Sequence, residues 1–192
     1  MTLKHLIVDC DDRAMPGLGD EATATFSQCR TYRYALTRRW KPNAPMAVFV
    51  MLNPSTAGAS AADPTIRRCL GFARRWGAGG LLVLNAFALR STDPKELYGH
   101  PDPVGPDNDA VITDTLTAQP GGRVVVAWGA HGQLNGRADR VTELIRASGA
   151  TPACLGTTRD GHPRHPLYVR GDTHLQTYWS GEKDADAGLP TQ

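Results

Sequence analysis

The sequence predicts an α/β fold, a three-layer α/β/α sandwich with a central, mostly parallel sheet of about four strands plus an antiparallel edge strand. Three continuous apolar runs carry this prediction, at residues 48–52, 81–84 and 124–128. Runs of this length between glycine and proline are typical of strands buried on both faces. Helical segments separate the runs, which favours a parallel arrangement. Because each run ends in small polar residues, we expect a ligand site at the carboxyl edge of the sheet.

The other elements follow in order along the chain. Residues 30–40 alternate apolar and polar side chains, which predicts the edge strand, and the turn at 41–45 predicts that it pairs with the next strand. Asp63 and Pro64 are typical of a helix N-cap and first helical position. Further helices are expected from Pro106 to about residue 118 and over residues 137–148, followed by a fourth core strand at 151–155.

The length of 192 residues suits one well-buried core. We expect a single α/β domain over residues 25–180, an N-terminal extension over 1–24 and a disordered tail over 181–192. Hydrophobic residues make up 41% of the chain and no apolar run approaches the roughly 20 residues that span a bilayer, so no membrane partner is expected. The first residues do not resemble a signal peptide, which favours a cytoplasmic location.

The net charge of +2 argues against a strongly basic nucleic-acid coat protein, although arginines cluster locally. The cysteines show no CxxC spacing, which argues against a zinc site or a disulfide framework; they are Cys10, Cys29, Cys69 and Cys154. An iron–sulfur cluster held by all four cysteines is the less favoured alternative, and we expect no cofactor and no metal.

Two asparagines at strand ends are the first candidates for chemistry. Asn53 can hold a water or bind a carbonyl, but Asn-Pro-Ser-Thr is equally typical of a turn that bonds to its own backbone. The carboxamide of Asn85 can pair with the amide edge of a pyrimidine, whereas a purely structural strand end is the alternative. Two asparagines at one edge favour a site, to which we add the neighbouring residues Leu52, Ser55 and Thr56 as candidate substrate contacts.

His165 is a candidate for stabilising negative charge on an oxygen, because it lies in a proline-rich loop after the fourth core strand. An exposed loop histidine is the alternative, and His162 in a similar His-Pro pair competes for the role. Asp63 is a candidate catalytic carboxylate as well as an N-cap. Tyr168 is a further candidate substrate contact.

Trp128 and His131 follow the third apolar run and are candidate substrate contacts. Stacking of the tryptophan on a base is one interpretation and a core tryptophan is the more common one. Arg67 and Arg68 are candidate phosphate contacts, although such arginines most often form a solvated helix face.

An aspartate-rich segment follows the second core strand and includes Asp102, Asp107, Asn108 and Asp109. These side chains could bind a divalent metal, but Asp-Pro and Asp-Asn-Asp also simply begin loops and helices, and we favour that interpretation.

Taken in order, four stretches resemble the motifs of the uracil-DNA glycosylase superfamily. Residues 48–55 resemble its first motif in the Gly-Ile-Asn-Pro form, and residues 82–85 resemble the strand whose asparagine reads the base. Residues 125–133 are similar to its Leu-Trp-Gly-x-x-Ala-Gln stretch, and residues 165–168 fall where it has His-Pro-Ser-Pro-Leu. The aspartate of its Gly-Gln-Asp-Pro-Tyr motif is replaced by Asn53, and the serine of His-Pro-Ser is missing.

A second resemblance covers most of the chain. Four stretches resemble the signature of a bacterial and phage family classed as domain of unknown function 1643. They are Leu52-Asn-Pro-Ser-Thr-Ala, Asp63-Pro-Thr-Ile-Arg-Arg-Cys69, Gly105-Pro-x-Asn-Asp109 and Pro163-Arg-His-Pro-Leu-Tyr168. That family brings no established activity.

The glycosylase resemblance implies an N-glycosidase-like hydrolase acting on a nucleobase in DNA, RNA or a nucleotide. It implies that Asn53 positions water, Asn85 reads the base and His165 stabilises the departing base. A non-catalytic nucleotide- or nucleic-acid-binding module is the first alternative. A metal-dependent hydrolase that uses Asp63 and the segment 102–109 is the second.

Overall fold

A computed structural model describes residues 3, 5–11, 21–56, 63–119 and 123–178. Within these residues, eight strands form one sheet in the order β1-β2-β3-β5-β4-β6-β7-β8. The strands are β1 (Ile7–Asp11), β2 (Glu21–Phe26), β3 (Arg33–Arg39), β4 (Met46–Met51), β5 (Gly80–Asn85), β6 (Arg123–Val126), β7 (Thr151–Cys154) and β8 (Gln176–Thr177). The expected disordered tail at 181–192 lies outside the described residues.

The middle of the sheet is a block of four parallel strands, β5, β4, β6 and β7. These are the strands that the apolar runs and the segment 151–155 predict. The other four pairings are antiparallel. The fold is thus mixed α/β, and the sheet is larger and less parallel than expected.

The strand expected at the edge of the sheet, β3, lies inside it. It pairs with β5 on one side and with β2 on the other, and it does not pair with β4. The turn at 41–45 reverses the chain as predicted, but the later strand β5 inserts between the two strands that the turn connects. The strands β1 and β2 lie beyond β3, and they include residues 7–11 and 21–24 of the expected N-terminal extension.

Helices cover both faces of the sheet. Helix α1 packs on one face, where its Ile66 and Phe72 lie in a core with Phe49 of β4. Val48 and Val50 of the same strand point to the opposite face, since side chains alternate along a strand. The helices α3 and α4 cover that second face. The described helices are α1 (Pro64–Arg75), α2 (Glu96–Gly99), α3 (Asn108–Thr117) and α4 (Arg137–Ala147), with 3-10 turns at Ala130–Gly136 and Pro166–Tyr168.

None of the helices in the described part of the chain is long and apolar enough to cross a membrane.

Candidate functional site

A cavity of about 750 Å³ opens at the carboxyl edge of the parallel block. Residues 52–55 after β4, Asn85 at the end of β5 and residues 128–131 after β6 contribute to its wall. The loop after β7 closes another side with residues from Thr158 to His165. The cavity therefore lies where the strand ends predict a ligand site.

Most of the candidate residues come together around this cavity. Its lining includes Leu52, Asn53, Ser55, Asp63, Asn85, Trp128, His131, His165 and Tyr168. Thr56, Arg67, Arg68 and His162 do not line it. Of the two histidines in His-Pro pairs, His165 is thus the one at the cavity.

The amide nitrogen of Asn53 is committed to the backbone. Its Nδ2 donates to the carbonyl oxygen of Ser91 at 2.9 Å and to that of Pro54 at 3.3 Å. These carbonyls orient the carboxamide, because only its nitrogen can donate to them. All of these bonds use the nitrogen, so none of them occupies the Oδ1 of Asn53, which can act as an acceptor.

Asn85 is 2% exposed, and its Nδ2 has no hydrogen-bond partner among the described residues. A buried polar group without a partner is costly and is uncommon in folded proteins. Asn85 shares a sheet face with Val83, which also lines the cavity. A ligand with a complementary polar edge would satisfy this carboxamide.

The backbone at the end of β5 is held by two buried side chains. Asn108, at the start of α3, donates from Nδ2 to the carbonyl oxygens of Asn85 and Ala86, both at 3.0 Å. Arg137, at the start of α4, donates from Nε to the Ala86 carbonyl at 2.6 Å. The sequence placed Asn108 at the start of a helix, with metal binding as the less favoured alternative. The structure confirms the helix start and shows that the side chain fixes the strand end that carries Asn85.

His165 is half-buried, and burial lowers the pKa of its imidazole, against the opposing influence of the Asp63 carboxylate. Its Nδ1 accepts the backbone N–H of Leu167 at 3.3 Å. The neutral imidazole therefore carries its proton on Nε2. The ring offers an N–H donor at neutral pH without a full positive charge.

Asp63 combines the N-cap role with a place in the cavity wall. One carboxylate oxygen accepts the N–H of Ile66 at 2.8 Å, and the other accepts the Ser55 hydroxyl at 3.3 Å. A carboxylate has about four lone-pair sites, so capacity remains for a further donor.

Trp128 forms an apolar wall of the cavity and is 2% exposed. Its ring meets Tyr178 edge to face, with ring centroids 5.8 Å apart. Gly129 follows with φ +67°, a left-handed conformation that glycine adopts without strain, and its N–H donates to the Pro163 carbonyl. This bond ties the loop after β7 to the end of β6.

Several lining residues were not candidates from the sequence. Arg33 is 4% exposed, and burial lowers the pKa of its guanidinium to about 10. Others are Thr65, Ser91, Thr92, Pro94, Arg159 and Arg164. The buried Arg33 begins β3, two strands away from β4, so spacing along the chain gave no signal for it.

The aspartates of the segment 102–109 are bound to the protein itself. Asp102 accepts the N–H of Gly105, Asp107 accepts the Tyr34 hydroxyl at 3.1 Å, and Asp109 pairs with Arg137 and Arg140. In the described part of the chain, no group of three or more His, Cys, Asp or Glu side chains could hold a metal ion. These contacts favour the structural interpretation of the segment.

The Asp109 ion pairs predict a specific acid sensitivity. Burial raises the pKa of the Asp109 carboxyl, but hydrogen bonds and charges from Arg137 and Arg140 outweigh it, so the pKa is lower than in the unfolded chain. The stabilisation is therefore present above the unfolded pKa of about 3.9 and is lost as the pH falls through the folded value. In urea unfolding across pH 2–7, we expect the stability difference between wild type and Asp109→Asn to shrink below about pH 4. The exposed Asp114→Asn on the same helix is the control, and a constant difference would contradict the prediction.

Comparison with known proteins gives a family match and no activity. The family described as "Protein of unknown function (DUF1643)" matches residues 33–167. No curated protein matches the chain, and no solved structure matches it. The matched range includes both asparagines, Asp63, Trp128 and His165.

Proposed function

The chain belongs to the DUF1643 family, a family of unknown function, and from that premise we propose that it is an N-glycosidase acting on a nucleobase held in the cavity. The observation that carries the proposal is the convergence of Asn53, Asn85, Asp63 and His165 on one cavity of about 750 Å³. A planar base needs polar groups at its edge and apolar surface at its face.

Base recognition falls to Asn85 and Trp128. A carboxamide offers a donor and an acceptor in one plane, which matches the amide edge of a base. Trp128 and Val83 supply apolar lining for the ring.

Hydrolysis needs a water, a proton acceptor and stabilisation of the leaving base. The Asn53 Oδ1 and the Asp63 carboxylate are the acceptors that would orient the water, and Asp63 takes its proton as the water oxygen bonds to the anomeric carbon. The C–N bond breaks and its electron pair leaves with the base. The Nε2–H of His165 then donates to the base oxygen on which negative charge develops.

A base-binding module without hydrolysis is the second candidate. The observation that favours it is the use of the Asn53 nitrogen to hold the backbone at Ser91, because that geometry explains Asn53 without any water.

The test measures base release and base binding separately. We expect purified protein to release base from at least one member of a panel of nucleosides and single- and double-stranded oligonucleotides. Chromatography and mass spectrometry detect the released base. His165→Ala should lower release about 100-fold, since removal of one donor to a developing oxyanion costs about that much. Asn85→Ala should also lower release, because the edge of the base loses its carboxamide partner. His162→Ala is the matched control, because His162 lies in the same loop but outside the cavity lining.

Binding of free bases by NMR titration separates the two candidates. Binding that depends on Asn85 without any release would replace the enzyme by the binding module. If the protein neither releases nor binds any base of the panel, both candidates are refuted.

A further inference from the structure

We propose that the surface beside the cavity binds the backbone of a single-stranded nucleic acid, so that the substrate base is presented by a polymer. This inference rests on the proposed function, because the strand is placed to deliver a base to the cavity. The surface consists of an arginine groove on α1 and an aromatic turn at Pro166–Tyr168.

The arginine groove has a volume of about 470 Å³ and is lined by Pro64, Arg67, Arg68, Gly71, Phe72, Arg75, Leu167 and Gly171. Among the described residues, no acidic side chain lines this groove or lies within α1. Arg68 and Arg75 are seven residues apart, which places them on one face of the helix. Both guanidinium groups lie against Gly171, and Arg75 donates to its carbonyl oxygen. The groove thus concentrates positive charge in one place although the net charge of the chain is only +2.

The aromatic turn connects the groove to the cavity. Leu167 lines the groove, and its neighbour Tyr168 lines the cavity. Tyr168 is 79% exposed, a large value for an aromatic side chain. A further depression of about 430 Å³ shares Tyr168 and Arg164 with the cavity. The two residues therefore lie between the places where a base and its neighbouring nucleotides would rest.

Two carboxylates of the described residues near this surface are bound to the protein, and the pKa of one of them, Asp172, is lowered by its hydrogen bonds with Arg170 and also by the charge of Arg75 in the groove. Asp172 binds Arg170 through two hydrogen bonds of 3.0 and 3.1 Å, which neutralises that arginine, and Asp63 caps α1 from within the cavity wall. The charge of Arg67, Arg68, Arg75 and Arg164 suits phosphate groups, which accept such contacts without a fixed base sequence.

Exposed tyrosine beside arginines favours a single strand over a duplex. A base can stack on an exposed ring only when it has left its own stack, and single strands offer such bases. Such stacking tolerates any sequence, because every base has a flat aromatic face.

The test is fluorescence anisotropy with labelled dT12, rU12 and a 12-base-pair duplex, at several salt concentrations. We expect binding to both single strands, and weaker binding to the duplex. Arg67→Ala/Arg68→Ala should lower affinity about ten-fold and reduce the slope of log K against log[salt] by about 0.7 for each phosphate that the variant no longer neutralises. Tyr168→Ala should lower affinity about five-fold or more, and Tyr168→Phe should retain it.

The control for loss of positive charge elsewhere is Arg123→Ala, which removes one exposed arginine at the amino end of β6, the opposite edge of the sheet. The strand-binding surface would be overturned if Arg67→Ala/Arg68→Ala and Tyr168→Ala both kept wild-type affinity for the strands. It would also be overturned if Arg123→Ala lost as much affinity as these variants. A duplex bound as tightly as the single strands would overturn it as well. Base release from free nucleosides without strand binding would support the proposed enzyme and refute the strand-binding surface. Strand binding without any base release would support the surface and refute the enzyme.

Discussion

Asn108→Ala is expected to lower the free energy of unfolding by about 1–3 kcal/mol, because it leaves the buried carbonyl group of Asn85 without its side-chain donor. Asn108 is fully buried, and its Nδ2 donates to the carbonyl oxygens of both Asn85 and Ala86. Arg137 still reaches Ala86, but the carbonyl of Asn85 loses its side-chain donor. Urea unfolding followed by circular dichroism measures the change.

The same substitution should weaken base binding, because the end of β5 that presents Asn85 loses its support. Comparison with Asn85→Ala separates the two effects. We expect Asn85→Ala to lose base binding with a smaller loss of stability, since its Nδ2 makes no hydrogen bond within the described residues. Thr117→Ala, an exposed change on the same helix, should shift stability by less than about 0.5 kcal/mol. Equal stability of Asn108→Ala and Thr117→Ala would contradict the supporting role of Asn108.

The position of the cavity could be predicted because continuous apolar runs have one common cause. Strands β4, β5 and β6 are buried on both faces, and that burial requires apolar residues at every position until the strand ends. The polar residues that follow, such as Asn53 and Asn85, therefore mark the sheet edge directly in the sequence.

The strands β1 and β2 lack such a signal. Residues 21–26 have the sequence Glu-Ala-Thr-Ala-Thr-Phe, in which small alanines alternate with threonines. Strand β2 pairs with the next strand in the sequence, β3, and so depends on the position of β3 in the sheet. That position is fixed by the pairing of β3 with β5, which lies more than forty residues further along the chain. Pairing over such distances is decided by the assembled sheet and not by local preference.

The segment 102–109 shows the same limit within the site. Clustered aspartates are consistent with metal binding until their partners are known. Arg137, which binds Asp109 at 2.5 Å, is 28 residues away, and Tyr34, which binds Asp107, is 73 residues away. Nothing in the spacing of the aspartates reveals these partners, so only the fold distinguishes a structural segment from a metal site.

Gly132→Ala is expected to lower the free energy of unfolding by about 2–3 kcal/mol, because a Cβ at this position would overlap the ring of Trp128. The added atom would lie 2.6 Å from Trp128 Cγ and 2.8 Å from Nε1. The ring cannot move away freely, since it is 2% exposed and packs against Tyr178. For a chain of this size the change corresponds to a fall of roughly 5–10 °C in Tm, measured by calorimetry. Near-ultraviolet circular dichroism should report the displaced tryptophan.

Gly71→Ala is the matched control, because it adds the same methyl group at a glycine with no described atom within 4 Å of the new Cβ. Gly71 lies inside α1, where alanine is favoured over glycine by about 0.5–1 kcal/mol, so this change should raise stability. Opposite signs for the two substitutions would assign the loss in Gly132→Ala to contact with Trp128 and not to the loss of glycine itself. Since Trp128 also forms the cavity wall, Gly132→Ala should weaken base binding. Equal stability and unchanged base binding in both variants would show instead that the wall accommodates a methyl group.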